Sequence, residues 1–302
     1  MDWIDRIASV RRWGRNGYRA PHKPLLLLYA LGDHQRHGAR QIPYSEAEQR
    51  LSVLLEEFGP PRRTSPAYPF HHLTSDGFWC VDTVAGEGSP GASPGLLRRS
   101  QARGSLVPEL AEALDREPGL LERLAHFLLE SNFEPSLHTE ISTLAGLTLA
   151  GTPLSTRDER LGARRDPGFR DEILVAYEYQ CAFCGYDGWI DGFSVGLEAA
   201  HVRWWALGGP DEVDNGLCLC SIHHRLFDRG VLGLSEDLGI VVSTRFVGRS
   251  PAAEGMVLDL SGRPAGKPQA GLSTIGREYV AWHTREVFRG RARTGVEAGT
   301  ST

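Results

Sequence analysis

The chain has 302 residues, 41% of them apolar and 9% aromatic, and a formal charge of −5; that length holds two domains of about 150 residues, each with its own core. The apolar content excludes an intrinsically disordered chain, and no apolar run reaches the roughly 18 residues a membrane-spanning helix needs. Met1-Asp2-Trp3-Ile4-Asp5-Arg6 lacks the basic start and apolar core of a secretion signal, so a cytoplasmic protein with no membrane partner is expected.

Negative net charge argues only weakly against nucleic acid, because phosphates are met by local patches. Arg11, Arg12, Arg15, Arg19 and Lys23 fall in a window without a carboxylate. Of 33 basic residues only Lys23 and Lys267 are lysine, and the guanidinium fork suits phosphate oxygens and guanine edges. GC-rich coding bias would explain the arginine preference; it does not explain the acid-free window.

Taken in order, Asp2–Trp13 has apolar residues at helical spacing, and Gly14–Gly17 reads as a turn. Pro24 suits the first turn of a helix running through Leu25–Leu31, which is apolar all round and therefore central to its domain. The exposed N–H groups of that helix, with Arg19, His22 and Lys23, make a phosphate seat. Ser45–Phe58 is a further helix, with Ser45 and Glu48 in capping-box spacing, ended by Gly59-Pro60-Pro61. Tyr68–Leu73 and Phe78–Val81 flank Ser75-Asp76-Gly77 as a short hairpin. Residues 86–104, rich in Gly, Ser, Pro and Arg, read as a mobile loop able to fold onto DNA through Arg98, Arg99 and Arg103. Helices follow at Val107–Leu114, Leu120–Asn132 and His138–Leu149. Residues 150–166 are polar and unpatterned, which places the domain boundary near residue 155 and gives domains 1–154 and 155–302. Pro167–Gln180 is helical, Gly239–Phe246 is strand-like, Thr274–Phe288 is a closing helix, and the tail 290–302 is expected to be disordered.

The chemistry concentrates between Cys181 and Asp228. Cys181-Ala-Phe-Cys184 and Cys220-Ser-Ile-His223 are two pairs of the same spacing on either side of an insert, the sequence form of a structural zinc site. Of the five cysteines, Cys80 and Cys218 then remain, an implausible disulfide in a reducing compartment. Cys218 alternates with Cys220 and so points to the opposite face of an extended segment, into the core. A zinc ribbon accounts for these four ligands but leaves His201, Asn215 and His224 unexplained.

Glu198-Ala-Ala-His201, followed by Asn215-Gly-Leu-Cys-Leu-Cys220-Ser-Ile-His223-His224-Arg-Leu-Phe-Asp228, resembles the HNH (ββα-metal) nuclease family. The resemblance implies that His201 is the general base, that Asn215 positions that His or its loop, and that His224 helps bind a catalytic divalent cation, Mg²⁺ or Mn²⁺. Exchanged roles for His223 and His224 are an alternative; the Cys220-x-x-His223 spacing favours His223 for zinc. Many members carry Asp immediately before the first His, where this chain has Ala200. Glu198, Asp214 and Asp228 are candidates for the second metal ligand, with a cap or salt-bridge role the competing reading of Asp228.

Tyr18-Arg-Ala-Pro-His-Lys-Pro-Leu-Leu-Leu-Leu-Tyr-Ala-Leu31 and Tyr68-Pro-Phe-His-His-Leu73 resemble the sulfur-binding domain of phosphorothioation-dependent type IV restriction enzymes. With the HNH half, the resemblance covers nearly the whole chain. It implies recognition of double-stranded DNA in which sulfur replaces one non-bridging phosphate oxygen, then cleavage nearby. Sulfur accepts hydrogen bonds poorly, so it tolerates an apolar pocket where oxygen would lose hydration. Tyr68 and Pro69, with Ala20 and Pro21, are expected to line it. Arg19, His22 and Lys23 would hold the remaining anionic oxygen, and His72 would complete the wall. His34, His37, His126, His138 and His283 are read as surface or core residues.

The expected fold is α+β: a helix-rich, DNA-reading N-terminal domain, then a zinc-stapled HNH domain. Cleavage of both strands implies a homodimer. The rival readings are an HNH enzyme that reads a modified base such as methylcytosine, which would need a base-flipping pocket, and a DNA-binding zinc protein without catalysis.

Overall fold

Every residue from Pro24 to His34 is buried, so the leucine run forms a helix with no solvent face and the surrounding elements pack around it. In the computed structural model the described residues are 2–9, 14–15, 18–19, 21–62, 64–149, 166 and 168–293, with backbone alone for 14, 15, 18 and 19. The chain divides into two compact units, Met1–Arg160 and Leu161–Thr302. The boundary expected near residue 155 lies outside the described residues.

The first unit begins with α1 (Trp3–Ala8) and a two-residue ladder of β1 (Gly14–Arg15) and β2 (Tyr18–Arg19), then α2 (His22–His37). The predicted helix to Trp13 is thus described only to Ala8; residues 10–13 lie outside the described set. Next come β3 (Ile42–Pro43), α3 (Tyr44–Phe58), α4 (Ala67–His72), β4 (Trp79–Thr83), β5 (Gly86–Glu87), α5 (Pro94–Arg99), β6 (Arg103–Leu106), α6 (Pro108–Arg116), α7 (Leu120–Glu130) and α8 (Pro135–Ala145). Helix α2 packs against α3, α4, α7 and α8. At about 2 kcal/mol per buried leucine, the four residues Leu25–Leu28 contribute roughly 8 kcal/mol of apolar burial. The four strands form one sheet in the order β3-β6-β4-β5.

Three expectations fail in this unit, each through tertiary packing. The capping box does not form: Pro43 occupies the N-cap position, Ser45 is inside the helix, and no side chain caps it. Glu48 instead accepts hydrogen bonds from the Tyr44 hydroxyl (3.0 Å) and the Arg98 guanidinium (2.8 Å). Tyr68–His72 is helical rather than a hairpin strand, because Pro69 fits the first turn of α4 and Phe70 turns inward against Tyr44 and Trp79, with ring centroids at 5.0 and 5.4 Å. Residues 86–104 are ordered, with Leu97 and Ala102 buried, Arg98 paired with Glu48, and Arg103 opening a central strand.

The second unit holds α9 (Phe169–Ala176), the hairpin β7 (Trp189–Ile190) and β8 (Phe193–Ser194), and β9 (Leu197–His201) paired antiparallel with β10 (Gly216–Cys220). It continues with α10 (Ser221–Asp228), the pair β11 (Leu232–Leu234) and β12 (Ile240–Val242), α11 (Pro251–Met256) and α12 (Arg277–Glu286). Two strands feeding one helix, β9-β10-α10, are the site's frame. Helix α9 ends at Ala176, earlier than Gln180, because Glu178 and Tyr179 take left-handed backbone (φ 51° and 55°) and turn the chain toward Cys181. The tail is ordered through residue 293: Ala292 bridges to Ser243, and Arg293 donates to the Phe246 carbonyl at 2.5 Å. No helix among the described residues is long and apolar enough to cross a membrane.

Candidate functional site

The turn after α9 presents Cys181 and Cys184, and the junction of β10 with α10 presents Cys220 and His223; the four ligand atoms lie within 4.8 Å of one another. The turn is fastened to β10 by the Ala182 N–H, which donates to the Cys218 carbonyl at 2.8 Å. His223 Nδ1 lies 3.2 Å from Cys220 Sγ and 3.5 Å from Cys181 Sγ, while its Nε2 donates to the Met256 carbonyl at 2.8 Å. That outer bond leaves Nδ1 as the ligating atom, the usual arrangement for a metal-bound imidazole. Hydrogen bonds from Cys184 and Cys220 pull the Cys181 thiol well below its ordinary range. Three sulfurs and one nitrogen at this spacing fit a tetrahedral zinc ion. Cys218 is fully buried, outside the cluster, and burial pushes its thiol up to about 12.

His201 ends β9 opposite Gly216. Its ring stacks on Phe169 (4.2 Å, 11° between planes), and its Nε2 is hydrogen bonded to Asp211 Oδ1 at 2.8 Å. The second Asp211 oxygen accepts from the Asp166 N–H at 2.8 Å. Asn215, with no exposed surface, spends its side chain on the intervening loop. Its Oδ1 accepts from the Arg203 N–H (2.8 Å), and its Nδ2 donates to the carbonyls of Arg203 (3.0 Å) and Pro210 (2.9 Å). The loop is tight enough that a Cβ on Gly209 would stand 1.8 Å from the Arg203 carbonyl oxygen. Asn215 therefore shapes the loop that carries Asp211 to the histidine. Sequence reasoning missed Asp211: it sits ten positions beyond His201 in a polar stretch, and only the fold makes it a neighbour.

His224 lies one residue beyond the cysteine-histidine cluster and faces elsewhere. Its Nδ1 meets Glu198 Oε2 at 2.7 Å and its Nε2 meets Asp228 Oδ2 at 3.1 Å. Burial alone would lower its pKa, but Asp228 and Glu198 raise it to about 10, and the His224 bond holds the Glu198 carboxyl below its usual range. Ala200 is fully buried on the strand. Of the three carboxylates weighed as second ligand, Glu198 and Asp228 are the ones hydrogen bonded to His224 among the described residues, while Asp214 accepts the Gly276 N–H through its main-chain oxygen. Their settings differ: the Glu198 side chain is 43% exposed, and that of Asp228 is 0%.

In the first unit the rings of Tyr68, His72 and His22 gather where α4 meets the start of α2. Tyr68 is exposed, its ring 4.3 Å from His72 (the i+4 neighbour on α4) and 6.3 Å from His22. His22 is buried and hydrogen bonded through Nε2 to Thr64 Oγ1 at 2.8 Å; burial, then Arg62, lowers its pKa to about 4. His72 is shifted down by burial and then by His71 and Lys23. Lys23 forms an ion pair with Asp76. Of the residues expected to make the phosphate seat, His22 is thus buried and shifted down, and Lys23 is paired with Asp76. Pro69 is buried beside the exposed Tyr68, and Pro21 is half-buried at the N-cap of α2. The side chains of Arg19 and Ala20 lie outside the described residues.

Residues 1–150 match the family described as ScoMcrA-like, DNA sulfur-binding domain, and residues 181–235 match HNH endonuclease. Among solved structures, the sulfur binding domain of ScoMcrA complexed with phosphorothioated DNA is 23% identical, with TM-score 0.42, covering 49% of this chain and 99% of that one. The corresponding domain of SprMcrA, also complexed with phosphorothioated DNA, is 23% identical, with TM-score 0.40 and coverages of 48% and 93%. The type IV phosphorothioation-dependent restriction endonuclease ScoMcrA is 21% identical over 49% of this chain and 34% of that one, with TM-score 0.38. Comparison with curated proteins returns no match.

Proposed function

We propose, from the match of residues 1–150 to the ScoMcrA-like, DNA sulfur-binding domain and of residues 181–235 to HNH endonuclease, that the chain is a modification-dependent, metal-dependent DNA endonuclease that reads and cuts as follows. The sulfur of a phosphorothioate linkage in double-stranded DNA docks against Tyr68, with His72 and His22 behind it. The His22 ring, its pKa lowered by burial to about 4, and the His72 ring, shifted in the same direction, offer a weakly polar wall that a hydrated phosphate oxygen avoids and sulfur tolerates. Pro69, Pro21 and Ala20 complete that pocket, while Arg19 and Lys23, which exchanges Asp76 for the DNA, meet the neighbouring phosphate groups.

Cutting falls to the β9-β10-α10 frame. The observation that carries this reading is the pair His201–Asp211 set on a loop pinned by Asn215. Held through Nε2 by Asp211, His201 takes the proton of the attacking water as a positioned general base. Cys181, Cys184, Cys220 and His223 hold structural Zn²⁺, since a unit of this size needs such a staple. His224 and the half-exposed Glu198 would hold Mg²⁺ or Mn²⁺, the ion taking the place of the proton the two side chains share, and the metal would supply charge stabilisation at the scissile phosphate. Buried Asp228 orients the imidazole from its other side. The enzyme acts in the cytoplasm as a homodimer, one centre per strand.

A paired cleavage assay tests this: plasmid from a phosphorothioating host and its unmodified twin, each with Mn²⁺ or with EDTA. Cutting of the sulfur-bearing plasmid alone, lost in His201→Ala and in EDTA, is the expected result, with selective binding lost in Tyr68→Ala. Equal cutting of both plasmids refutes the sulfur reading. No cutting with any metal refutes the nuclease reading.

A further inference from the structure

We propose that the β7–β8 hairpin is the contact through which two copies of this chain pair by their second units. The inference takes its purpose from the nuclease reading above, but its geometry stands apart from it. Trp189 is 52% exposed, Ile190 61% and Phe193 74%, around a tip at Asp191-Gly192 where both residues have left-handed backbone (φ 50° and 82°). Cross-strand pairing of Ile190 with Phe193 and of Trp189 with Ser194 puts apolar side chains on both faces of the arm. Tyr186 (43%) and Val195 (45%) extend it to its base.

The arm is fixed in place. Val195 N–H donates to the Gly188 carbonyl at 2.9 Å, Ser221 N–H donates to the Gly196 carbonyl at 3.0 Å, and the Tyr179 ring lies 4.8 Å from Trp189. The Gly196 bond joins the arm to the start of α10, where Ile222 is 50% exposed. A two-stranded ribbon gains little stability of its own from side chains it leaves in water. With a fully exposed aromatic side chain taken as ~200 Å², these six residues offer roughly 600 Å² of apolar surface. That matches the apolar centre of an interface of about 800 Å² per partner.

Charge decides between a protein and DNA as the occupant. No lysine or arginine occurs between Arg170 and Arg203, and the arm itself carries Asp187 and Asp191. Phosphates would be repelled. An apolar arm with acidic flanks pairs with its own image about a two-fold axis, where apolar faces meet and the carboxylates stay in the wet rim. A duplex has two strands, and each copy brings one His201 and one His224.

Sedimentation equilibrium on the full-length, zinc-loaded protein without DNA tests the pairing, with Ile190→Asp and Phe193→Ser as variants and Val84→Ser, exposed in the first unit, as control. Wild type and control should have dimer mass, and each arm variant should dissociate at least tenfold more readily with its zinc content intact. On sulfur-bearing plasmid the arm variants should accumulate nicked circles where wild type yields linear DNA. Monomeric wild type overturns the proposal, as does an arm variant that stays dimeric. Unchanged mass with lost DNA affinity also overturns it, by assigning the arm to DNA. Mass is read without cleavage, so a failed nuclease reading would leave the dimer result standing.

Discussion

Replacing Asn215 by alanine separates a loop-shaping role from a directly catalytic one. The side chain makes three hydrogen bonds and has no exposed surface. At about 1 kcal/mol net each they contribute roughly 3 kcal/mol, and the Arg203 N–H left unpaired adds ~1 more. A loss of 3–4 kcal/mol is a large part of the 5–15 kcal/mol that typically holds a domain. Urea unfolding of the full chain, followed by tryptophan fluorescence and by zinc release, should show the second unit's midpoint fall while the first unit's stays put. Asn215→Asp keeps the acceptor but turns a carboxylate toward two carbonyl oxygens, so it should be no better than alanine. Under conditions where the variant remains folded, kcat should drop with phosphorothioate-DNA binding unchanged, because Asp211 is no longer held against His201. A second-unit stability within about 0.5 kcal/mol of wild type would refute the clamp.

Asp211→Asn should lower kcat by about 10²-fold with KM nearly unchanged, and Asp211→Glu should recover part of it; ¹⁵N shifts of the His201 ring should report the altered tautomer. Cys220→Ser, or prolonged chelation, should unfold the second unit and leave sulfur-selective binding by the first intact, read by circular dichroism and DNA binding side by side. His283 is fully buried, its pKa lowered by burial from 6.5 to about 4. Below pH 6.5 the unfolded chain takes up a proton that the folded state refuses, so stability is level above that pH and falls as pH drops toward 4. The loss reaches roughly 3 kcal/mol. His283→Phe should remove that part of the slope in unfolding measured between pH 7 and 4, and an unchanged slope would count against the assignment.

The pairs Cys181/Cys184 and Cys220/His223 were legible because metal-ligand spacing is a local property: two residues between donors suffices wherever the chain later goes. The same holds for Leu25–Leu31, whose unbroken apolarity allows only a buried helix. Tyr68–His72 misled because alternating aromatic and polar residues suit a strand as well as one turn of helix. The outcome rests on Phe70 finding Tyr44 and Trp79, contacts spanning 26 and 9 positions. Residues 86–104 misled for the opposite reason. Small residues signal a loop, yet Gly104 is small because a Cβ there would stand 2.2 Å from the Trp79 ring in the adjacent strand. Among the proposed site residues, His201, Asn215 and His224 were singled out by motif. Glu198 and Asp228 were sorted only by their different exposure beside one imidazole, and exposure has no signature in a linear chain.

His223 and His224 stand next to each other on the first turn of α10, one aimed at three sulfurs and the other at two carboxylates. On the reading proposed above, the helix that a zinc ion would organise is also the one that aims His224. A cell short of zinc would make a chain that still seats on modified DNA but carries no assembled cutter.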